Sequence, residues 1–249
     1  MDISQLSPWL LLVAPVVTVI GYTVFGLSGF GSTMISVPIL AHFLPVSYLV
    51  PLMALLDLAS ATFMGTTGRE HVAKAEMKRI VPFMLVGFVL GATVLVGVAD
   101  QYLRVALGVF ALVVGIHGIL NPTLHRIIPA WWSVPAGIIG GAVATVFGAG
   151  GPIYATYLSG RLTDKTETRA TMSALISISA FTRAAVYAIA GLLLHAVTLG
   201  GAALLAPFVW LGLTLGHRIH LGLSQQQMRR AVGALLVLSG ASLLMRALL

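Results

Sequence analysis

The sequence predicts an all-α polytopic membrane protein built from two inverted repeats, each with a glycine-tipped re-entrant hairpin and three transmembrane helices. Three observations lead to this prediction: long apolar runs, an internal repeat, and a loop charge that reverses between the halves. The chain has 249 residues, of which 58% are hydrophobic and 8% charged, whereas a soluble domain carries about 25% charged residues. Several apolar runs approach the roughly 20 residues that cross a bilayer core, and they lack the strict alternation of a membrane β-barrel.

Composition also excludes several classes of protein. The chain begins Met1-Asp2-Ile3-Ser4, without the basic segment that opens a cleavable signal peptide. It contains no cysteine, which excludes disulfides, iron–sulfur clusters and thiolate metal sites, and we predict neither a metal nor another cofactor. The net charge of +7 comes from Lys and Arg in short loops between apolar segments. That placement indicates orientation in a lipid membrane rather than binding of nucleic acid.

The first repeat is predicted over residues 1–120 and the second over 131–249, with a polar cytoplasmic connector at 121–130. Each repeat is divided into segments by its glycines and charges. The predicted segments are hairpin 8–44 with helices 46–65, 73–98 and 103–120, then hairpin 131–160 with helices 168–191, 197–217 and 228–248.

The repeat is visible in two aligned stretches. Thr23–Gly29 matches Thr145–Gly151 at a spacing of 122, and Pro82–Gly91 matches Pro207–Gly216 at a spacing of 125. Small residues recur by chance in membrane helices, but a shared register of proline, phenylalanine and glycine indicates a duplicated unit. The alignment places both prolines inside helices, where each removes a backbone hydrogen bond.

Loop charge predicts that the two repeats have opposite orientations. The first-half segment 66–79 carries four Lys or Arg residues, while its repeat partner at 191–197 carries none. Conversely, the loop at 42–47 has no Lys or Arg, while its partner at 160–169 has three. Because Lys and Arg favour the cytoplasmic side, the sequence predicts an inverted repeat with both termini outside.

Each glycine-rich break falls at the tip of a predicted hairpin. Non-helical backbone inside a bilayer is tolerated only where it is buried in protein or lines a cavity. Free amides at helix N-termini would favour an anion there, although glycines can also serve only to bring helices close together. The residues of the two breaks that we predict to bind substrate are Ser28, Gly29, Gly31 and Ser32 in the first and Gly148, Gly150 and Gly151 in the second.

Two charged residues lie within apolar helices, Asp57 in the first repeat and Arg183 in the second. A charge inside a membrane is costly and is a functional candidate by default. We predict that Arg183 attracts an anion and that Asp57 acts in coupling or as a counter-charge; the alternative is a structural ion pair that joins two helices. On the helix of Arg183, Ser173, Ser177 and Ser179 either line the site or bond back to carbonyls.

Two tyrosines, Tyr154 and Tyr157, follow the second break and either face the same cavity or lie at a membrane interface. Tyr154 is included among the predicted substrate ligands, together with Ser177 and Arg183.

An enzymatic alternative comes from Gly26-Leu27-Ser28-Gly29, which resembles the nucleophile sequence of rhomboid intramembrane proteases. Such a serine needs a histidine to activate it, and His117 is the one histidine predicted to lie deep in a helix. Because the repeat has Gly150 where the first half has Ser28, we predict that the protein is not an enzyme.

The motifs Phe-Gly-x-x-Gly-Phe-Gly at 25–31 and Phe-Gly-Ala-Gly-Gly-Pro at 147–152 resemble the TauE/SafE family of sulfite and organosulfonate exporters, the toluene sulfonate uptake permease group. The resemblance spans nearly the whole chain. It implies a secondary transporter of the bacterial cytoplasmic (inner) membrane that moves a small sulfur-containing anion, sulfite or an organosulfonate, by alternating access, with or without proton coupling. An anion channel is the alternative, and glycine-rich helix faces leave a homodimer open.

Overall fold

The computed structural model describes residues 8–29, 31–64, 69–120, 128–193, 196–218 and 225–248, and across these ranges the protein is helical and without strands. Within them, seven helical segments are long and apolar enough to cross a membrane by length and composition. The protein is therefore an all-α polytopic membrane protein, as its composition predicts.

Ten α-helices make up this part of the chain. In the first half they are α1 (Pro8–Ser28), α2 (Ser32–Leu40), α3 (Val46–Met64), α4 (Lys74–Gly97) and α5 (Asp100–Leu120); in the second they are α6 (Ser133–Phe147), α7 (Gly151–Arg161), α8 (Lys165–Ile189), α9 (Ala196–Arg218) and α10 (Gln225–Leu248). The breaks α1–α2 and α6–α7 fall at the two glycine clusters. Both α1 and α6 belong to helical segments long enough to cross a membrane, so the re-entrant course of the hairpins stays a prediction.

Two helices begin earlier than their apolar runs because an aspartate stabilises the first turn. At the start of α5, the Asp100 carboxylate accepts hydrogen bonds from the Val46 backbone N–H and from Arg104 Nε, both at 2.6 Å. Before α8, Asp164 Oδ1 accepts from the backbone N–H of Glu167 at 2.7 Å. A carboxylate in the first turn complements the helix dipole. Asp164 also satisfies a free amide of its own helix, whereas the amide that Asp100 satisfies is that of Val46 at the start of α3. Both α5 and α8 therefore extend into polar sequence.

Glycine faces pack α4 on α6, α1 on α9 and α5 on α10. A Cβ atom added to Gly87 or Gly141 would meet the backbone of the facing helix, and the same holds for Gly212 and Gly216 against α1. These glycines therefore allow backbone-to-backbone approach between helices of one chain. A homodimer stays a prediction, and it would have to use other residues.

The close contacts also give helix directions. The contacting residues are Met84 with Gly137 and Gly91 with Thr145 for α4 and α6, Tyr22 with Gly212 and Gly26 with Gly216 for α1 and α9, and Gly108 with Gly240 and Gly115 with Gly233 for α5 and α10. Residue numbers rise together in the first two helix pairs, which are parallel, and oppositely in the third, which is antiparallel. Each hairpin thus packs on a helix of the other half, and the two halves interleave around α3 and α8, which contact each other.

Candidate functional site

The two glycine breaks meet at one cavity of about 60 Å³. A cavity of this size holds a few waters or one small oxyanion, since roughly 10–15 Å³ of such space accommodates a water molecule. Every predicted site residue except Ser28 lines it: Gly29, Gly31, Ser32, Asp57, Gly148, Gly150, Gly151, Tyr154, Ser177 and Arg183. The side chain of Ser28 lies outside the part of the chain that the structure describes.

Backbone conformation explains the glycines that form the breaks. Gly29, Gly31 and Gly148 have φ angles of 80°, 104° and 70°, a left-handed region that glycine enters without steric cost. A Cβ atom on Gly148 would collide with the side chain of Thr33. The second break therefore rests directly on the start of α2, which follows the first break.

Two helices begin at the cavity without a side-chain cap. Gly31 precedes α2 and Gly150 precedes α7, and neither α2 nor α7 has a side-chain hydrogen bond at its N-cap. The first amides of an α-helix have no partner within the helix, and the helix dipole makes this end positive. The first residues of both helices line the cavity. At α7, Pro152 has no N–H and the Ile153 N–H donates to the Gly150 carbonyl, which leaves the Gly151 N–H. With the helix dipoles, these helix ends favour an anion.

The two intramembrane charges face each other across the cavity wall. Arg183 Nη2 of α8 lies 3.0 Å from Asp57 Oδ2 of α3, and Arg183 Nη1 donates to the carbonyl oxygen of Ala144 at 3.0 Å. Both charged side chains are buried. The guanidinium is thus tied to α3 and to α6, the helix that leads into the second break.

Three hydroxyl groups complete the surroundings of Asp57. Tyr22 Oη and Ser32 Oγ donate to Oδ1 at 2.9 Å each, and Thr33 Oγ1 donates to Oδ2 at 2.6 Å. With Arg183 these make four donors, which fills the roughly four acceptor positions of an ionised carboxylate. The Ser32 hydroxyl, predicted as a substrate ligand, is therefore bonded to Asp57. Tyr22 and Thr33 were not singled out from the sequence, where nothing but their nearness to the first break marks them.

Two buried donors at the cavity have no hydrogen-bond partner among the described residues, Arg183 Nε and Tyr154 Oη. Tyr154 is 1% exposed. A Cβ atom on Gly140 or Gly150 would touch the tyrosine ring, so the ring occupies a slot that these glycines keep open. Buried polar groups nearly always have a partner, which makes both atoms candidates for contact with a ligand.

The serines of α8 fulfil both alternatives considered from the sequence. Ser173, Ser177 and Ser179 line the cavity, and Ser177 Oγ also bonds back to the carbonyl oxygen of Ser173 at 3.0 Å. Ser173 is exposed, whereas Ser179 and Arg183 are buried. The cavity-lining residues of α8 therefore run from an exposed position at Ser173 to the buried guanidinium of Arg183.

Two residues considered as site candidates, Tyr157 and His117, lie away from the cavity. Tyr157 does not line the cavity; its hydroxyl donates to Glu76 Oε2 at 2.5 Å, and Arg161 Nη2 lies 2.8 Å from Glu76 Oε1. Glu76 was not predicted, because its segment is marked by basic residues rather than by one acid. His117 is exposed on α5, so the expectation that it lies deep was wrong: its helix turns this position away from the core.

The family model described as Sulfite exporter TauE/SafE matches residues 13–243. The probable inner membrane transporter protein TsaS of Comamonas testosteroni is 27% identical over 193 residues, which cover 77% of this chain and 81% of that protein. No solved structure matches the chain. Members of the matched family are transporters, which removes the protease alternative for Ser28. With the family match spanning nearly all of its helices, this integral membrane protein belongs to the TauE/SafE family of sulfite exporters.

Proposed function

We propose that the protein is a secondary transporter that moves a small sulfur-containing anion, sulfite or an organosulfonate, across the bacterial inner membrane by alternating access. The observation that carries this proposal is the meeting of two uncapped helix N-termini and a buried arginine at one cavity. The family match supports the class of anion. The name of the related TsaS protein supports the inner membrane as the location.

The balance of charge in the site favours a single small anion. Asp57 neutralises Arg183, so the positive ends of α2 and α7 are left without a counter-charge. An oxyanion between them would provide it. Since Asp57 already accepts from four donors, we assign it the role of counter-charge; a role in proton coupling would require this network to open during transport.

The directions of the helices support the inverted repeat. They also indicate which helices would move together during transport. The repeat partners α5 and α10 run antiparallel, as halves of opposite orientation require, and we place both termini outside on the loop charges. Because each hairpin is packed on a helix of the other half through glycines, it should move together with that helix. Alternating access would then occur between interleaved bundles rather than between the two sequence halves.

The experiment is flux of ³⁵S-sulfite into liposomes that contain the purified protein, with and without an imposed proton gradient. We expect sulfite uptake that saturates with concentration and is inhibited by small sulfonates, because a carrier has a limited number of sites. Protein-free liposomes provide the baseline. Uptake that rises linearly with sulfite concentration would indicate the channel alternative, and no uptake of sulfite or sulfonate above the baseline would overturn the proposal.

A further inference from the structure

We propose that the two hairpins have unequal roles: the Tyr154 hydroxyl of the second hairpin binds the anion together with the Arg183 Nε–H of α8, while the hydroxyls of the first hairpin only position Asp57. The inference rests on the proposed function, since it names the side chains that would hold the transported anion. It follows from which donors in the site are already bonded and which are not.

At the cavity, each described hydroxyl of the first hairpin already donates its hydrogen to Asp57. None of them is left to donate to a substrate. Ser32 and Thr33 each donate to the Asp57 carboxylate, and so does Tyr22. A hydroxyl carries one hydrogen, so each of these groups would have to release Asp57 before it could donate to an anion. What α2 offers a ligand is therefore its backbone amides.

The second hairpin differs at the equivalent position. The spacing of 122 that relates the two breaks pairs Ser32 with Tyr154. Ser32 is bonded to Asp57, whereas Tyr154 Oη is buried at the cavity without a partner. An unsatisfied buried hydroxyl destabilises the protein, and an oxyanion in the cavity would relieve that cost.

The helix that carries Tyr154 is also held firmly at its other end. Tyr157 and Arg161, on the following turns of α7, both donate to the buried carboxylate of Glu76 on α4. With Gly140 and Gly150 enclosing its ring, Tyr154 has little freedom to turn its hydroxyl away. The ring is thus fixed in the cavity wall before any ligand arrives, with its hydroxyl buried and without a partner.

Arg183 presents one remaining donor in the same way. Its two terminal nitrogens are bonded to Asp57 and to the Ala144 carbonyl, and Nε is buried without a partner. The guanidinium is therefore fixed, while its Nε–H makes no hydrogen bond to any described residue. An oxyanion can accept a hydrogen bond from this N–H through one oxygen and from the Tyr154 hydroxyl through another. Hydrogen bonds in which the donor or the acceptor is ionised are stronger than those between neutral groups.

The test compares Tyr154→Phe with Ser32→Ala in sulfite flux and in calorimetric binding of sulfite to purified protein. For Tyr154→Phe we expect a KM and a Kd at least tenfold higher, with an unchanged maximal rate and a melting temperature equal to or above that of the wild type, because an unpartnered buried hydroxyl is removed. For Ser32→Ala we expect a lower melting temperature and a KM within twofold of the wild type. Tyr102→Phe, at an exposed tyrosine of α5, is the matched control.

A KM and Kd that are unchanged in Tyr154→Phe, or raised equally in Ser32→Ala, would overturn the unequal roles while leaving the proposed function intact. If the unaltered protein neither transports nor binds sulfite or a small sulfonate, the proposed function fails, and the inference fails with it.

Discussion

Replacing Arg183 by alanine is expected to reduce sulfite flux at least a hundredfold and to destabilise the protein. The cation that would bind the anion is lost, and the Asp57 carboxylate stays buried at 8% exposure without its charged partner. Removing one member of a buried ion pair costs about 3–5 kcal/mol. Flux in liposomes and thermal unfolding in detergent measure the two effects separately.

A neutral pair distinguishes the transport role of Arg183 from a structural one. In the double variant Asp57→Asn with Arg183→Gln, neither buried charge is left unpaired, and replacing a whole buried pair is often close to neutral for stability. We expect the melting temperature to return towards that of the wild type while flux stays at the baseline. If flux returned together with stability, the ion pair would serve only to join α3 to α8.

The second large effect is expected at Gly148, where the two breaks touch. Gly148→Ala places a Cβ atom at a φ of 70°, which costs about 1–2 kcal/mol, and drives it into the side chain of Thr33. Overpacking of this kind adds about 1–3 kcal/mol. Because Thr33 bonds to Asp57, we expect the displacement to reach the ion pair and to lower sulfite flux more than tenfold.

Gly29→Ala is the matched control for Gly148→Ala. Gly29 has a similar φ of 80°, but a Cβ atom there meets nothing within 4 Å. Its substitution should therefore carry the conformational cost alone and leave flux less affected. Equal losses of flux and stability in both variants would contradict a specific contact between Gly148 and Thr33.

The features that could be predicted from the sequence are those with a local chemical signal. Apolar composition predicts a helical membrane protein because the bilayer restricts which structures can span it. Asp57 and Arg183 are conspicuous because charges are rare in apolar helices. Positions such as Gly29 and Gly148 are marked because a break in a helix requires backbone conformations that glycine adopts most easily.

The partners of these residues could not be predicted, because they depend on how the helices pack. The hydroxyls of Thr33 and Tyr22 reach Asp57 from 24 and 35 positions away, and that of Tyr157 reaches Glu76 from 81. Hydroxyl residues are common in membrane helices and more often bond to their own backbone. Nor does the pattern of one helix reveal that each hairpin packs on the opposite half.

The central claim is that a sulfur oxyanion binds where the two glycine breaks meet, and selenite, a heavier analogue of sulfite, tests it most directly. Crystals of the protein grown with selenite can be examined for anomalous scattering from selenium. The account predicts one selenium peak inside the cavity, with its oxygens about 3 Å from Arg183 Nε and Tyr154 Oη. A well-occupied selenium site elsewhere in the protein, with the cavity between Gly29 and Gly148 empty, would contradict it.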